Sequence, residues 1–231
     1  MPIQAVVFDA YGTLFDVYSI GALAEQLYPG QGAAISVLWR DKQIDYTRLI
    51  TMSDPHRAEG SRYYQSFWDI TRSALLFTLE RFKLDAKPEH VDALMGQYAK
   101  LTPFAENLGV LQALKQRGIT TAILSNGSLD MLNTAVSSAG MTELIDHVIS
   151  VDPIRLFKTS PESYGLVQKT IPLDAQDILF VSSNGWDALG ATWFGFTTLW
   201  VNRQHLPHET IGPKPTHTGH DLTRVLDVLS H

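Results

Sequence analysis

The chain has 231 residues, 45% of them hydrophobic and 18% charged, with a net charge of −6. That is long enough for one full domain and a smaller one, with the composition of a packed protein rather than a disordered one. The acidic balance leaves no basic stripe for nucleic acid or an anionic membrane, and the absence of cysteine excludes disulfides, thiolate nucleophiles and cysteine-ligated metals. The start lacks the charged end and long apolar run of a signal peptide, and no segment reaches the ~18 apolar residues of a membrane span, so a cytoplasmic protein without membrane partners is expected.

Residues 3–8, Ile-Gln-Ala-Val-Val-Phe, form a short apolar run that ends in Asp9-Ala10-Tyr11-Gly12-Thr13. The pattern predicts a buried first strand closed by a glycine turn. From about residue 16 to 98 the character is helical. Amphipathic spacing predicts long helices over 33–52 and 61–82 and shorter ones near 19–27 and 90–98. Pro29-Gly30-Gln31-Gly32 and Asp85-Ala86-Lys87-Pro88 break them.

After Leu101-Thr102-Pro103-Phe104 the chain alternates. Strands are predicted at 119–124, 147–151, 178–181 and 197–201, and helices near 107–117, 129–139, 161–170 and 186–194. Gly118, Gly140 and Gly195 stop three of the helices. Asp221 is a candidate cap for a last helix over 222–229, and the Pro- and His-rich stretch 203–219 reads as loop. The fold class expected is α/β: a doubly wound, parallel, Rossmann-like sheet with an inserted helical cap domain. The domain limits are 1–15 with 99–231 for the core and 16–98 for the cap.

In such sheets ligands bind beyond the carboxyl ends of the strands. The first strand ends in Asp9 and Thr13, the second in Ser125-Asn126-Gly127, and the third leads to Lys158. The fourth ends in Ser182-Ser183-Asn184-Gly185-Trp186-Asp187. Each alone has a plain explanation. An Asp before a glycine turn commonly caps it, Ser-Asn-Gly is a common turn, and a lone lysine is commonly solvated. Four strand ends offering polar groups to one crevice make the functional reading the stronger one. His205, His208, His217 and His220 lack metal-ligand spacing and are read as surface residues.

Asp9-Ala10-Tyr11-Gly12-Thr13-Leu14, Leu124-Ser125-Asn126-Gly127, Lys158 and Asp187 together resemble the haloacid dehalogenase superfamily. The segments 8–17 and 180–187 are similar to its L-2-haloacid dehalogenase branch. Most of the superfamily transfers phosphoryl groups, with a second aspartate two positions after the nucleophile and a magnesium ion. Here that position is Tyr11, a poor acid at neutral pH, and Asn184 reduces the acidic pair of the later loop. The resemblance therefore implies hydrolysis of a small (S)-2-haloacid to an (R)-2-hydroxyacid through an aspartyl ester, with no cofactor or metal and commonly as a homodimer. The alternatives are a magnesium-dependent phosphatase acting on a small phosphate ester, a non-catalytic binding module, and a fluoroacetate-selective or D-specific dehalogenase.

For the site, the resemblance makes Asp9 the nucleophile and places Lys158 beside it. Asp187 activates water with help from Asn184, and Thr13 and Ser182 hold the Asp9 carboxylate. Ser125, Asn126 and the backbone at Ala10 and Tyr11 bind the substrate carboxylate. Tyr164 supports the lysine side, and Arg40 meets the departing halide. Ile44, Phe67 and Trp186 are candidates for an apolar wall, and Tyr63, Tyr64 and Trp68 for cap core or a subunit contact. The family pattern has proline after the lysine; Thr159 stands there in this chain.

Overall fold

The computed structural model describes residues 3–54 and 57–230. Six parallel strands form one sheet in the order β3-β2-β1-β4-β5-β6: β1 Ala5–Phe8, β2 Thr120–Ser125, β3 His147–Ser150, β4 Ile178–Ser182, β5 Thr197–Val201 and β6 His217–Gly219. β1 and β4 are buried at every residue. A strand can be apolar throughout only when both faces of its sheet are covered, as crossover helices cover them here. Those helices are α5 Asn107–Gln116, α6 Leu129–Ser138, α7 Pro161–Thr170 and α8 Gly185–Phe194, with the short α9 Arg224–Val228 at the end. Gly195 closes α8 at a φ of +109°, a backbone conformation that favours glycine.

The strand order reverses direction between β1 and β4, which is where ligands bind in doubly wound sheets. Register fixes what meets there. Phe8 pairs with Val181 on one side and Ile123 on the other, and the Asp9 amide donates to the Val181 carbonyl at 2.9 Å. Asp9 therefore stands level with the end of β4 and beside the end of β2.

Between Phe15 and Leu101 the described residues form four α-helices: α1 Gly21–Leu27, α2 Gly32–Ser53, α3 Phe67–Arg81 and α4 Pro88–Tyr98. Ile35, Trp39, Ile70, Leu75, Leu79 and Leu94 supply their shared interior. The chain leaves and re-enters the sheet layer side by side. Phe15 bridges Pro103, and the Asp16 amide donates to the Thr102 carbonyl at 2.9 Å.

Three expectations need correction. Helix α3 begins at Phe67 rather than at 61, because the Ser66 side chain accepts from the Asp69 amide and caps it there. The stretch 203–219 is not all loop: His217–Gly219 adds an edge strand through backbone pairing to β5, which a three-residue polar run does not signal. Asp221 accepts from the Thr223 amide at 2.9 Å, a local turn, and the last helix starts after Thr223 and is shorter than 222–229.

Candidate active site

At the sheet's switch point the turn 9–15 wraps back on itself. The Thr13, Leu14 and Phe15 amides all donate to the Ala10 carbonyl, and Gly12, at a φ of +99°, lets its own amide reach the Phe15 carbonyl. This turn leaves the Asp9 carboxylate pointing into a buried polar cluster. Thr13 Oγ1 and Asn184 Nδ2 each donate to Asp9 Oδ2 at 2.9 Å, and Lys158 Nζ donates to Oδ1 at 3.0 Å. The Thr13 hydroxyl in turn accepts from the Ser183 amide at 2.8 Å, so the end of β4 sets its direction.

Lys158 is 1% exposed and touches two carboxylates, its Nζ also donating to Asp187 Oδ2 at 3.0 Å. The ammonium sits 5.1 Å from the centre of the Phe180 ring. Burial alone would lower its pKa, but the negative charges of Asp187 and Asp9 outweigh it and raise the lysine above its ordinary range. Asp187 is fully buried. Desolvation and the neighbouring Asp9 charge raise its pKa, against the pull of Lys158 and Tyr164. Tyr164 Oη donates to Asp187 Oδ1 at 2.8 Å. Burial, followed by the Asp187 charge and their hydrogen bond, pushes this phenol well above its usual pKa, so it stays a donor. A bare glycine makes the contact possible: a Cβ on Gly190 would lie 2.5 Å from Tyr164 Oη.

From the cap, Arg40 reaches down into the same cluster. Its Nη2 donates to the Tyr11 carbonyl at 3.0 Å and to Asn184 Oδ1 at 3.1 Å. A cleft of about 900 Å³ opens on the far side of this pair, and Arg40, Ile44, Asn184 and Trp186 form part of its wall. Asp9 is not on that wall; it lies behind Asn184. The arrangement holds one carboxyl group in a buried, donor-rich pocket, with a second acid across a shared ammonium.

The chain is similar in sequence and fold to known proteins. The sequence model of the haloacid dehalogenase-like hydrolases matches residues 3–195. The chain belongs to this family. It is 41% identical over 213 residues to an (S)-2-haloacid dehalogenase of Pseudomonas sp. (strain YL), covering 92% of this chain and 88% of that one. Among solved structures, an L-2-haloacid dehalogenase superposes with a TM-score of 0.96 at 51% identity, covering the whole of both chains. The L-2-haloacid dehalogenase from Xanthobacter autotrophicus with chloropropionic acid covalently bound superposes with a TM-score of 0.88 at 35% identity, covering 99% of this chain and 98% of that one.

Within this haloacid dehalogenase-like fold, Asp9, Thr13, Arg40, Lys158, Tyr164, Asn184 and Asp187 form one hydrogen-bonded network. Ser182 does not hold the Asp9 carboxylate. Its hydroxyl accepts from the Asn184 amide at 3.2 Å, and Asn184 takes the place expected of it. Asn126 Oδ1 accepts from the Lys158 amide at 2.9 Å and so positions the lysine backbone. Ser125 is buried and accepts from the Gly127 amide at 3.1 Å. The peptide between Lys158 and Thr159 is cis.

Ile44 and Trp186 line the cleft, with the Arg48 guanidinium 5.4 Å above the Trp186 ring. Phe67 lies 5.5 Å from the Tyr11 ring and 6.4 Å from Phe157, centre to centre, and is 1% exposed. Tyr64 is more than cap core, because it stacks on Phe157 and donates to Asp152 in the sheet layer. Tyr63 is exposed and Trp68 half-buried. His205 packs on His220, and His208 on Trp200. Sequence reasoning missed Gln43, Thr71 and Tyr98, which back Arg40. The signal was available, since Arg40, Gln43, Thr47 and Thr51 place polar groups along the buried stripe of α2.

Proposed function

We propose that this chain hydrolyses a small (S)-2-haloacid to the (R)-2-hydroxyacid and halide, with Asp9 as covalent nucleophile. The observation that carries the reading is the ammonium of Lys158, held 3.0 Å from both Asp9 and Asp187. It neutralises the nucleophile with a fixed cation of the chain. An oxygen of Asp9 attacks C2 from the side opposite the halogen, and the C–X electron pair leaves with the halide. The product of that step is an ester between Asp9 and C2, inverted at C2. Water then attacks the ester's carboxyl carbon while Asp187 takes one of its protons. As the bond between that carbon and the C2 oxygen breaks, Asp187 returns the proton to the C2 oxygen, the hydroxyacid leaves, and the restored Asp9 acid loses its proton to solvent. An acid whose pKa is raised by burial suits the task of accepting that proton.

Asn184 and Thr13 orient the Asp9 carboxylate. Arg40 meets the leaving halide, where a guanidinium in a closed site stabilises charge as it develops. Ser125, Asn126 and the backbone at Ala10 and Tyr11 receive the substrate carboxylate, and Ile44 and Trp186 receive its alkyl group. Residues 16–98 act as the cap and the remainder as the core.

A magnesium ion of the kind used by phosphoryl-transferring relatives fits these residues poorly. Lys158 and Asn184 already donate to the two oxygens of Asp9, and Asp187 is enclosed by Lys158 and Tyr164. Position 11 also lacks the acid that an alkoxide leaving group requires. The phosphatase alternative is therefore not favoured, and the reaction is read as metal-independent. Among the described residues no helix is long and apolar enough to cross a membrane, and a cytoplasmic enzyme is the reading adopted. Exposed Val37, Leu49, Met52 and Phe77 on α2 and α3 support a homodimer.

The test is halide release from L-2-chloropropionate in excess chelator, followed by one turnover in heavy-oxygen water. Label should enter the Asp9 carboxylate. Label appearing first in the product would mean direct attack by water and would reject the ester. Loss of turnover with chelator would reject the metal-free reaction.

A further inference from the structure

Arginine is long and flexible, and a guanidinium that must meet a halide at one angle needs something to hold it. The Nη2 end of Arg40 is held by the core, through the Tyr11 carbonyl and Asn184 Oδ1. The Nη1 end is held from within the cap, by Gln43 Oε1 at 2.7 Å. Gln43 lies three residues further along α2 and is fully buried. Its Nε2 donates to Thr71 Oγ1 on α3 at 2.6 Å and to Tyr98 Oη at the end of α4 at 3.0 Å.

These partners determine which way the Gln43 amide faces. The Thr71 hydroxyl hydrogen is committed to the Phe67 carbonyl at 2.6 Å, so toward Gln43 the Thr71 oxygen only accepts. The Gln43 NH2 must therefore face Thr71, which leaves its carbonyl oxygen for Arg40. A reversed amide would set its NH2 against the guanidinium and its oxygen against one with no proton to give. The cap thus sets the Gln43 carbonyl oxygen, a neutral acceptor that also receives the Tyr98 hydroxyl at 3.2 Å, against Arg40 Nη1.

We propose that Gln43, set by Thr71 and Tyr98, is a positioning residue that holds the Arg40 guanidinium where the departing halide is met. The inference rests on the haloacid reading of the site. The contacts named engage three of the five N–H groups of Arg40, and the Tyr98 hydroxyl is a further hydrogen-bonding neighbour of the guanidinium. Neutrality matters as well as geometry. A carboxylate at position 43 would hold the arginine more tightly but would cancel the charge that attracts the halide.

The experiment compares Gln43→Met and Gln43→Glu, each alone and combined with Arg40→Lys. Single-turnover halide release is measured with L-2-chloropropionate and L-2-bromopropionate. Chloride leaves less readily than bromide and depends more on the arginine. Gln43→Met should slow chloride release by roughly ten- to a hundredfold and bromide release by less, and should add little once Arg40 is lysine. Gln43→Glu should also favour bromide over chloride. Equal losses on both substrates, or full additivity with Arg40→Lys, would overturn the proposal. Should Gln43→Met not fold, Thr71→Val is expected to give the same chloride-selective loss at smaller size, and an unselective loss would count against the idea. If the wild-type chain released no halide, the haloacid reading would fail instead. Gln43 would then be judged by denaturant unfolding of the same variants with Arg40→Lys alone beside them. Non-additivity of about threefold or more in the unfolding constant is expected between positions 43 and 40, and simple additivity would overturn the proposal.

Discussion

Replacing Lys158 by methionine removes the one cation between two buried acids and keeps most of the side-chain volume. Asp9 Oδ1 and Asp187 Oδ2 each lie 3.0 Å from the same nitrogen, so the two oxygens are within about 6 Å of each other. At that separation and an effective dielectric constant of about 20, two unit charges repel by about 3 kcal/mol. Removing one partner of a buried ion pair costs about 3–5 kcal/mol in general, of the same size. The variant has one escape, which is for an acid to take up a proton that the unfolded chain would not hold. The sign follows. Between the unfolded carboxylate pKa and the raised value in the folded variant, the folded state binds more protons than the unfolded state. Stability then rises as pH falls through that window. Urea unfolding should show Lys158→Met about 3 kcal/mol less stable than wild type near pH 8, with the difference shrinking toward about pH 5. Halide release should be absent throughout. A stability difference that stays constant across this range would refute the idea that Lys158 balances both acids.

Asp9→Asn should keep the fold and lose turnover by about four orders of magnitude or more, measured as halide release, because the amide cannot form the ester. The pH profile of kcat should fall on the acid side at a pH above the ordinary carboxylate range, because burial and Asp9 raise the pKa of Asp187 and a protonated acid accepts nothing. On the basic side Lys158, whose pKa is raised, should keep its charge past the usual lysine range. A stopped-flow titration of kcat checks both limbs.

How much of this could be read beforehand depends on which physical signal each residue left. In a parallel sheet the strand ends converge by topology, so finding apolar runs at β1, β2 and β4 was enough to bring Asp9, Ser125 and Asn184 to one rim. Lys158 and Asp187 followed from the same argument. What topology does not give is the identity of the bond each group makes. Ser182 and Asn184 sit two residues apart at the end of β4, and either could reach Asp9 by sequence. The turn after β4 decides it, folding the Ser182 hydroxyl onto the Asn184 amide and leaving the Asn184 side chain for the carboxylate. Edge strand β6 was invisible because its pairing is backbone to backbone and needs no apolar side chain.

Tyr164 illustrates the same limit from the side of packing, and it can be tested. Its hydroxyl reaches Asp187 only because Gly190, one turn along α8 from Asp187, has no side chain. The ring itself is wedged against Phe180, Phe194 and Phe196, at centre distances of 5.7, 5.8 and 6.3 Å, and has no room to withdraw. Gly190→Ala would put a carbon 2.5 Å from Tyr164 Oη and 2.8 Å from Thr159 Cγ2. Overpacking a tight site of this kind costs about 1–3 kcal/mol, and the displaced phenol would leave one oxygen of a buried carboxylate without its donor, a loss of similar size. Tyr164→Phe removes the donor without the clash. If the glycine serves the hydrogen bond, both variants should lower kcat by a similar factor, and only Gly190→Ala should carry the additional fall in thermal stability. A Gly190→Ala enzyme with full activity and an unchanged melting temperature would show that the close approach to Tyr164 is not what requires glycine there.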